Sequence, residues 1–106
     1  MNQLPNSEPQ SDRPQLLMLN GPNLVRLGNR NRNIYGRKSL DDVVFEVEAA
    51  TEPLGWTVVA EQSDNEAELI GLLFKHPDIR AAIINSGALM IAGWSFRDAL
   101  EDVAFP

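Results

Sequence analysis

At 106 residues the chain is one domain at most, and its 43% share of hydrophobic residues is ordinary for a globular protein. The net charge of -6, with no basic stretch to offset it, argues against nucleic acid as the main partner. The absence of cysteine excludes disulfides and thiolate chemistry and makes the cytoplasm the default location. No apolar run is long enough to span a bilayer, and the N-terminus lacks the basic-then-apolar order of a signal peptide, so no membrane role is expected.

Residues 1–14, MNQLPNSEPQSDRP, are polar and proline-rich, which predicts a disordered tail ahead of a domain over residues 15–106. Gln15 to Asn20 is a short apolar run that ends in Asn-Gly-Pro, the pattern of a buried strand running into a loop. The polar loop that follows holds the one local basic cluster, Arg26, Arg30, Arg32, Arg37 and Lys38, which by itself fits a solvated loop. Ser39 reads as a helix N-cap with acid in the first turn, and Leu40, Val43, Val44, Val47, Ala50 and Leu54 recur at helical spacing. Pro53 and Gly55 stand where that helix ends.

Trp56 to Glu61 is β-branched and predicts a second strand. Ser63 to Glu66 has the form of a capping box, opening a helix with Ala67, Ile70, Leu73 and Phe74 as its apolar face. Pro77 closes that helix. His76, the sole histidine, sits in its last turn, where attraction to the helix dipole is a sufficient explanation. Ile79 to Asn85 is a third strand, and Gly93 to Val103 a third helix with Phe96, Ala99, Leu100 and Val103 inward.

Strand–helix alternation at this spacing predicts an α/β fold, a parallel sheet with right-handed crossovers and helices on both faces. Ligands bind such sheets outside the carboxyl ends of the strands. The two most polar glycine-containing loops, residues 20–36 and 85–92, both follow strand ends and should therefore lie together. With about three strands and three helices the sheet reads as an incomplete flavodoxin-like one, stopping at Pro106 where a fourth strand is expected. The outer edge of the third strand would then be bare, and cover from another chain, a partner or self-assembly is expected.

The first loop reads N-G-P-N-L-V-R-L-G-N-R-N-R-N-I-Y-G from Asn20 to Gly36. Its pattern N-G-P-N-L-x-x-L-G-x-R-x(4)-Y-G resembles the opening loop of type II 3-dehydroquinate dehydratases. Two further segments are similar to that family's motifs. Gln62-Ser-Asp-Asn-Glu-Ala-Glu-Leu-Ile70 resembles its Q-S-N/D-x-E segment, and Ile84-Asn-Ser-Gly-Ala88, followed by Arg97-Asp-Ala-Leu100, its I-N-x-G and R-D-A motifs. The resemblance runs over about residues 15 to 106.

It implies a flavodoxin-like fold and a trans-elimination of water from 3-dehydroquinate through an enolate, with no cofactor; one His and no Cys leave no ligand cluster for a metal. Tyr35 matches the family's general base. Because a free tyrosine has a pKa near 10, such a base needs a shift of about three units, and Arg30 is a permanent cation suited to supply it. Asn23 matches a residue that helps hold the water facing the enolate oxygen. Asn85 and Gly87 match the substrate-binding stretch, and Asp98 an acid that family members lend to a neighbouring subunit's site. The bare residues also fit plainer roles, Tyr35 as loop packing, Asn23 as a turn residue and Asp98 as a solvated charge.

Where the family carries a substrate-binding His within T-H-T-S, this chain has Met90-Ile-Ala-Gly93, with Ile91 at the His position. Arg32 stands where Pro is common. The family's general acid, a His in an E-V-H strand, and a later carboxylate-gripping Arg have no counterpart in these residues. A missing general acid typically costs about 10² to 10⁴ in rate. The resemblance thus implies a relative with the base but not the acid, with little or no activity alone. Its alternatives are a chain active when completed by another, as homo-oligomers of this family (trimers and dodecamers) would allow, or a non-catalytic small-molecule or subunit-binding module.

Overall fold

Gln15–Asn20 forms strand β1, and every residue from Leu16 onward in it is buried. Such an unbroken apolar run belongs to a strand covered on both faces. In a computed structural model that describes residues 12–106, β1 lies between β2 (Thr57–Gln62) and β3 (Ile79–Asn85), parallel to both. Because β1 is central, the crossover to β2 and the crossover from β2 to β3 run in opposite directions across the sheet. Right-handed connections then place their helices on opposite faces. These are α2 (Leu40–Thr51) and α3 (Glu66–Lys75).

The two faces are unequally filled. Leu17 and Leu19 join Leu69, Leu72 and Leu73 of α3, Ile79, and Phe96 and Ala99 of α5 (Trp94–Leu100) in one buried cluster. Alternation along β1 turns Leu16 and Met18 to the other side, where α2 offers only half-buried Val43, Val44 and Val47. Glu66 ties the first cluster together, its carboxylate accepting the Phe96 N–H of α5 at 3.0 Å. Two four-residue helices, α1 (Arg32–Tyr35) and α4 (Leu89–Ala92), lie within the segments expected to be loops.

β2 starts and ends one residue later than expected, and β1 and β3 match their expected limits. The Ser39 cap is a full capping box, its hydroxyl accepting the Asp42 N–H at 3.1 Å and the Asp42 carboxylate accepting the Ser39 N–H at 3.0 Å. Ser63 is not the cap of α3. Asn65 is, accepting the Glu68 N–H at 3.0 Å, while the Ser63 hydroxyl accepts the Asn65 N–H and shapes the approach. The helix is rotated accordingly. Its buried face is Leu69, Leu72 and Leu73, and Ala67 and Phe74 are exposed, as are Ala50 and Leu54 after α2. His76 lies just past α3, and its Nε2 is 2.7 Å from the Glu61 carboxylate of β2, a side-chain pair rather than a dipole contact alone.

Most of the expected tail, residues 1–11, lies outside the described residues. Its last residues are tied to the fold. Arg13 donates to the Gly55 carbonyl at 3.2 Å, and the Pro14 carbonyl accepts the Thr57 N–H at 3.0 Å. On the far side of the sheet, the outer edge of β3 meets Pro106, whose carbonyl accepts the Ala82 N–H at 2.9 Å. Ile83, on the thinly covered face of that strand, is 48% exposed.

The Glu61 carboxyl is held below the usual carboxylate range, first by the His76 hydrogen bond and then, against the opposing effect of burial, by Lys75. A lowered folded value stabilises the protein above the unfolded value of about 4.3 and ceases to as pH falls through the folded value. Urea denaturation of the parent and Glu61→Gln should therefore differ most above about pH 5 and converge on acidification. A difference that does not change between pH 3 and pH 6 would contradict this assignment.

Candidate functional site

The strand ends Asn20, Gln62 and Asn85 lie in register across the sheet, so the loops that follow them leave from one edge. The first and third are pressed together. Gly21 N–H donates to the Asn85 carbonyl at 2.8 Å, carrying the ladder one residue beyond β1. A Cβ on Gly21 would sit 2.5 Å from the Ser86 carbonyl oxygen, inside contact distance. One on Gly87, whose φ is +59, would sit 3.0 Å from the Pro22 carbonyl oxygen. No side chain fits between these backbones, and glycine is required on both sides.

Asn23 follows in the left-handed conformation, φ 68 and ψ -1, which asparagine tolerates better than most residues. Its N–H donates to the Asp64 carboxylate at 2.8 Å. The next residue, Leu24, is buried and starts a 3-10 turn that ends at Arg26. Asn31 caps α1 by accepting the Asn33 N–H at 3.1 Å, and Arg32 donates to the Gly28 carbonyl at 2.9 Å. This short helix returns Tyr35 over Arg30. The guanidinium carbon stands 4.1 Å from the centroid of the Tyr35 ring, a cation–π stack.

Between the two loops is a cavity of about 400 Å³. Asn23, Arg30 and Tyr35 line it from one side, Asn85 and Gly87 from the other, and Pro22, Leu24, Leu27 and Ala88 supply apolar wall. The Asn85 side-chain oxygen accepts the Gly87 N–H at 3.2 Å, which leaves its amide N–H groups available as donors. A permanent cation stacked on a phenol, with amides opposite, suits a small oxygen-rich anion and the removal of a proton from it. No group of three or more His, Cys, Asp or Glu side chains that could hold a metal ion occurs among the described residues. No helix among them is long and apolar enough to cross a membrane.

Five of the six residues singled out from the sequence therefore share one cavity. Asp98 does not. It lies on α5, exposed and outside the cavity, and Ile91 on α4 is likewise outside it, 85% exposed beside Met90 and Trp94. Asn23 is a turn residue, as its plainer expectation had it, and it also lines the cavity. Sequence reasoning missed Gln62 and Asp64 at the end of β2. Their only signal was membership of the Q-S-D motif, to which a helix-capping role had been given.

The family model for dehydroquinase class II matches residues 14–106. The chain belongs to the class II dehydroquinase family. It is 41% identical over 92 residues to 3-dehydroquinate dehydratase of Thermotoga neapolitana, covering 87% of this chain and 63% of that one. With the Corynebacterium pseudotuberculosis enzyme of the same name it shares 44% over 89 residues, 83% of this chain and 61% of the relative. The fold superimposes with a TM-score of 0.79, at 35% identity, on the crystal structure of type II dehydroquinase from Propionibacterium acnes, covering 87% of this chain and 64% of that one. The chain thus spans a little over three-fifths of the length of these relatives, and its sheet is their flavodoxin-like α/β fold.

Since the Ser86 backbone cannot yield as a flexible side chain could, Gly21→Ala should lower stability by about 1–3 kcal/mol in urea denaturation. Gly71→Ala is the control, because open space surrounds that exposed helical position. There the change should be neutral or stabilising by up to about 1 kcal/mol. Equal effects at the two sites would refute the close apposition of the loops.

Proposed function

We propose that the cavity is the base-bearing half of a 3-dehydroquinate dehydratase site, and that this chain alone turns over little or no substrate. One observation carries the reading: Arg30 is stacked on Tyr35 across a cavity from Asn85 and Gly87. Tyr35, stacked against the Arg30 guanidinium, would take the proton next to the substrate carbonyl. The electron pair of the broken C–H bond moves to the carbonyl oxygen, giving an enolate. Asn23 would help hold a water against that oxygen, and Asn85 would donate to a substrate hydroxyl.

The enolate must then expel hydroxide from the neighbouring carbon, and that group leaves readily only as water, after receiving a proton. No lining residue apart from Tyr35 carries a side chain suited to general acid catalysis. His76, the only histidine, is held by Glu61 and lines none of this cavity. Ile91, at the position of the family's substrate-binding His, carries no donor. The elimination therefore stalls after its first step.

A second reading, activity on completion by another polypeptide, is favoured by the thinly covered α2 face of the sheet, where Ile83 of β3 is half exposed.

Ultraviolet absorbance of the conjugated enone product tests both readings. Incubated with 3-dehydroquinate, the folded chain should produce no more enone than Tyr35→Phe does. Turnover by the chain alone above that control would overturn the first reading. Enone formed only after adding the part of the Thermotoga neapolitana relative beyond its matched residues, and lost with Tyr35→Phe, would establish the second.

A further inference from the structure

The loop after β2 lines none of the cavity, yet it grips the first loop at Asn23. A single carboxylate oxygen of Asp64 accepts both the Asn23 N–H, at 2.8 Å, and the Gln62 amide N–H, at 3.1 Å. The same Gln62 nitrogen donates to the Gly21 carbonyl at 3.2 Å. Gln62 thus bridges Gly21, the residue just past β1, to the side chain that holds Asn23.

Asn23 is also the one non-glycine residue with positive φ among the described residues. L-residues enter that region at a cost and stay there when neighbours hold them. On one side of Asn23, the Pro22 carbonyl is pressed against Gly87. On the other, Leu24 is buried. The Pro22 carbonyl and the Asn23 N–H belong to one planar peptide, so the Gly87 contact and the Asp64 hydrogen bond hold that peptide from opposite sides. A charged acceptor makes the bond stronger than a neutral one would be.

We infer that Asp64, itself braced by Gln62, is a positioning residue that fixes the left-handed turn at Asn23 and so directs the Asn23 side chain into the cavity. It touches no ligand. The role rests on the reading of the cavity as a 3-dehydroquinate site, and it explains why the end of β2 shares the motif without lining the pocket.

The test uses the full chain with two readouts, amide hydrogen exchange at Asn23 by NMR and binding of 3-dehydroquinate by calorimetry. Asp64→Ala should speed Asn23 exchange and weaken binding, each by about tenfold, the loss of one charge-assisted hydrogen bond. The melting temperature should change little, because Asp64 is exposed. Asp64→Asn keeps an oxygen acceptor and should restore both readouts to within about threefold of the parent. Unchanged Asn23 exchange in Asp64→Ala would overturn the proposal. So would faster exchange with unchanged binding, or a loss of binding that merely tracks a loss of thermal stability and that Asp64→Asn fails to rescue. If the parent does not bind 3-dehydroquinate, the reading of the cavity fails by itself, and the role of Asp64 in ligand positioning falls with it. Asn23 exchange would still show separately whether the carboxylate holds the turn.

Discussion

The site depends on two backbones that touch. Gly21 and Gly87 let the loops after β1 and β3 run against each other with no side chain between them, and the Gly21–Asn85 hydrogen bond locks their relative height. Everything that lines the cavity hangs from that contact: Asn23, Arg30 and Tyr35 on one loop, Asn85 and Gly87 on the other. Were the loops an ångström further apart, the stacked Arg30–Tyr35 pair and the Asn85 amide would no longer converge on one small molecule. The sheet makes the contact possible by ending its three strands in register.

Support for these loops is uneven. The α3–α5 face holds the main core, with Leu17, Leu19, Leu69, Leu73 and Phe96 almost wholly buried. The α2 face buries no residue of its helix, and Ile83 beside it is half exposed. The first loop leaves the middle strand, the best-packed element, so its beginning is rigidly founded. Its distal part, with Arg30 and Tyr35 on or beside a four-residue helix, relies instead on local devices, the Asn31 cap and the Arg32–Gly28 hydrogen bond. In the proposed reading, the base therefore stands on the least supported part of the site, and the amides on the most.

Much of this was legible in the residues. Unbroken apolar runs located β1 and β3, and the Asn-Gly-Pro and Asn-Ser-Gly breaks placed two loops at one sheet edge, where the cavity is. Ser39 was recognisable as a cap because serine followed by acid three residues on has one common use. Ser63 fitted that pattern equally well, and tertiary geometry decided against it: Ser63 is buried under the turn, and the cap passes to Asn65. This displacement turns Leu69 and Leu72 inward and Phe74 outward, a choice that apolar spacing alone left open because Ala67, Ile70 and Phe74 extend the apolar surface around most of the helix. Asn23, whose N–H Asp64 holds, and Glu61, the partner of His76, lie in distant segments, and no local pattern encodes these pairs.

The central claim is that the first and third loops form one binding surface. Titrating labelled protein with 3-dehydroquinate and following every backbone amide by NMR tests it most directly. The account predicts that shifts concentrate on residues 21–36 and 85–88 together, saturating with a single dissociation constant. Shifts confined to one loop, or centred on the exposed Met90–Trp94 surface, would contradict it.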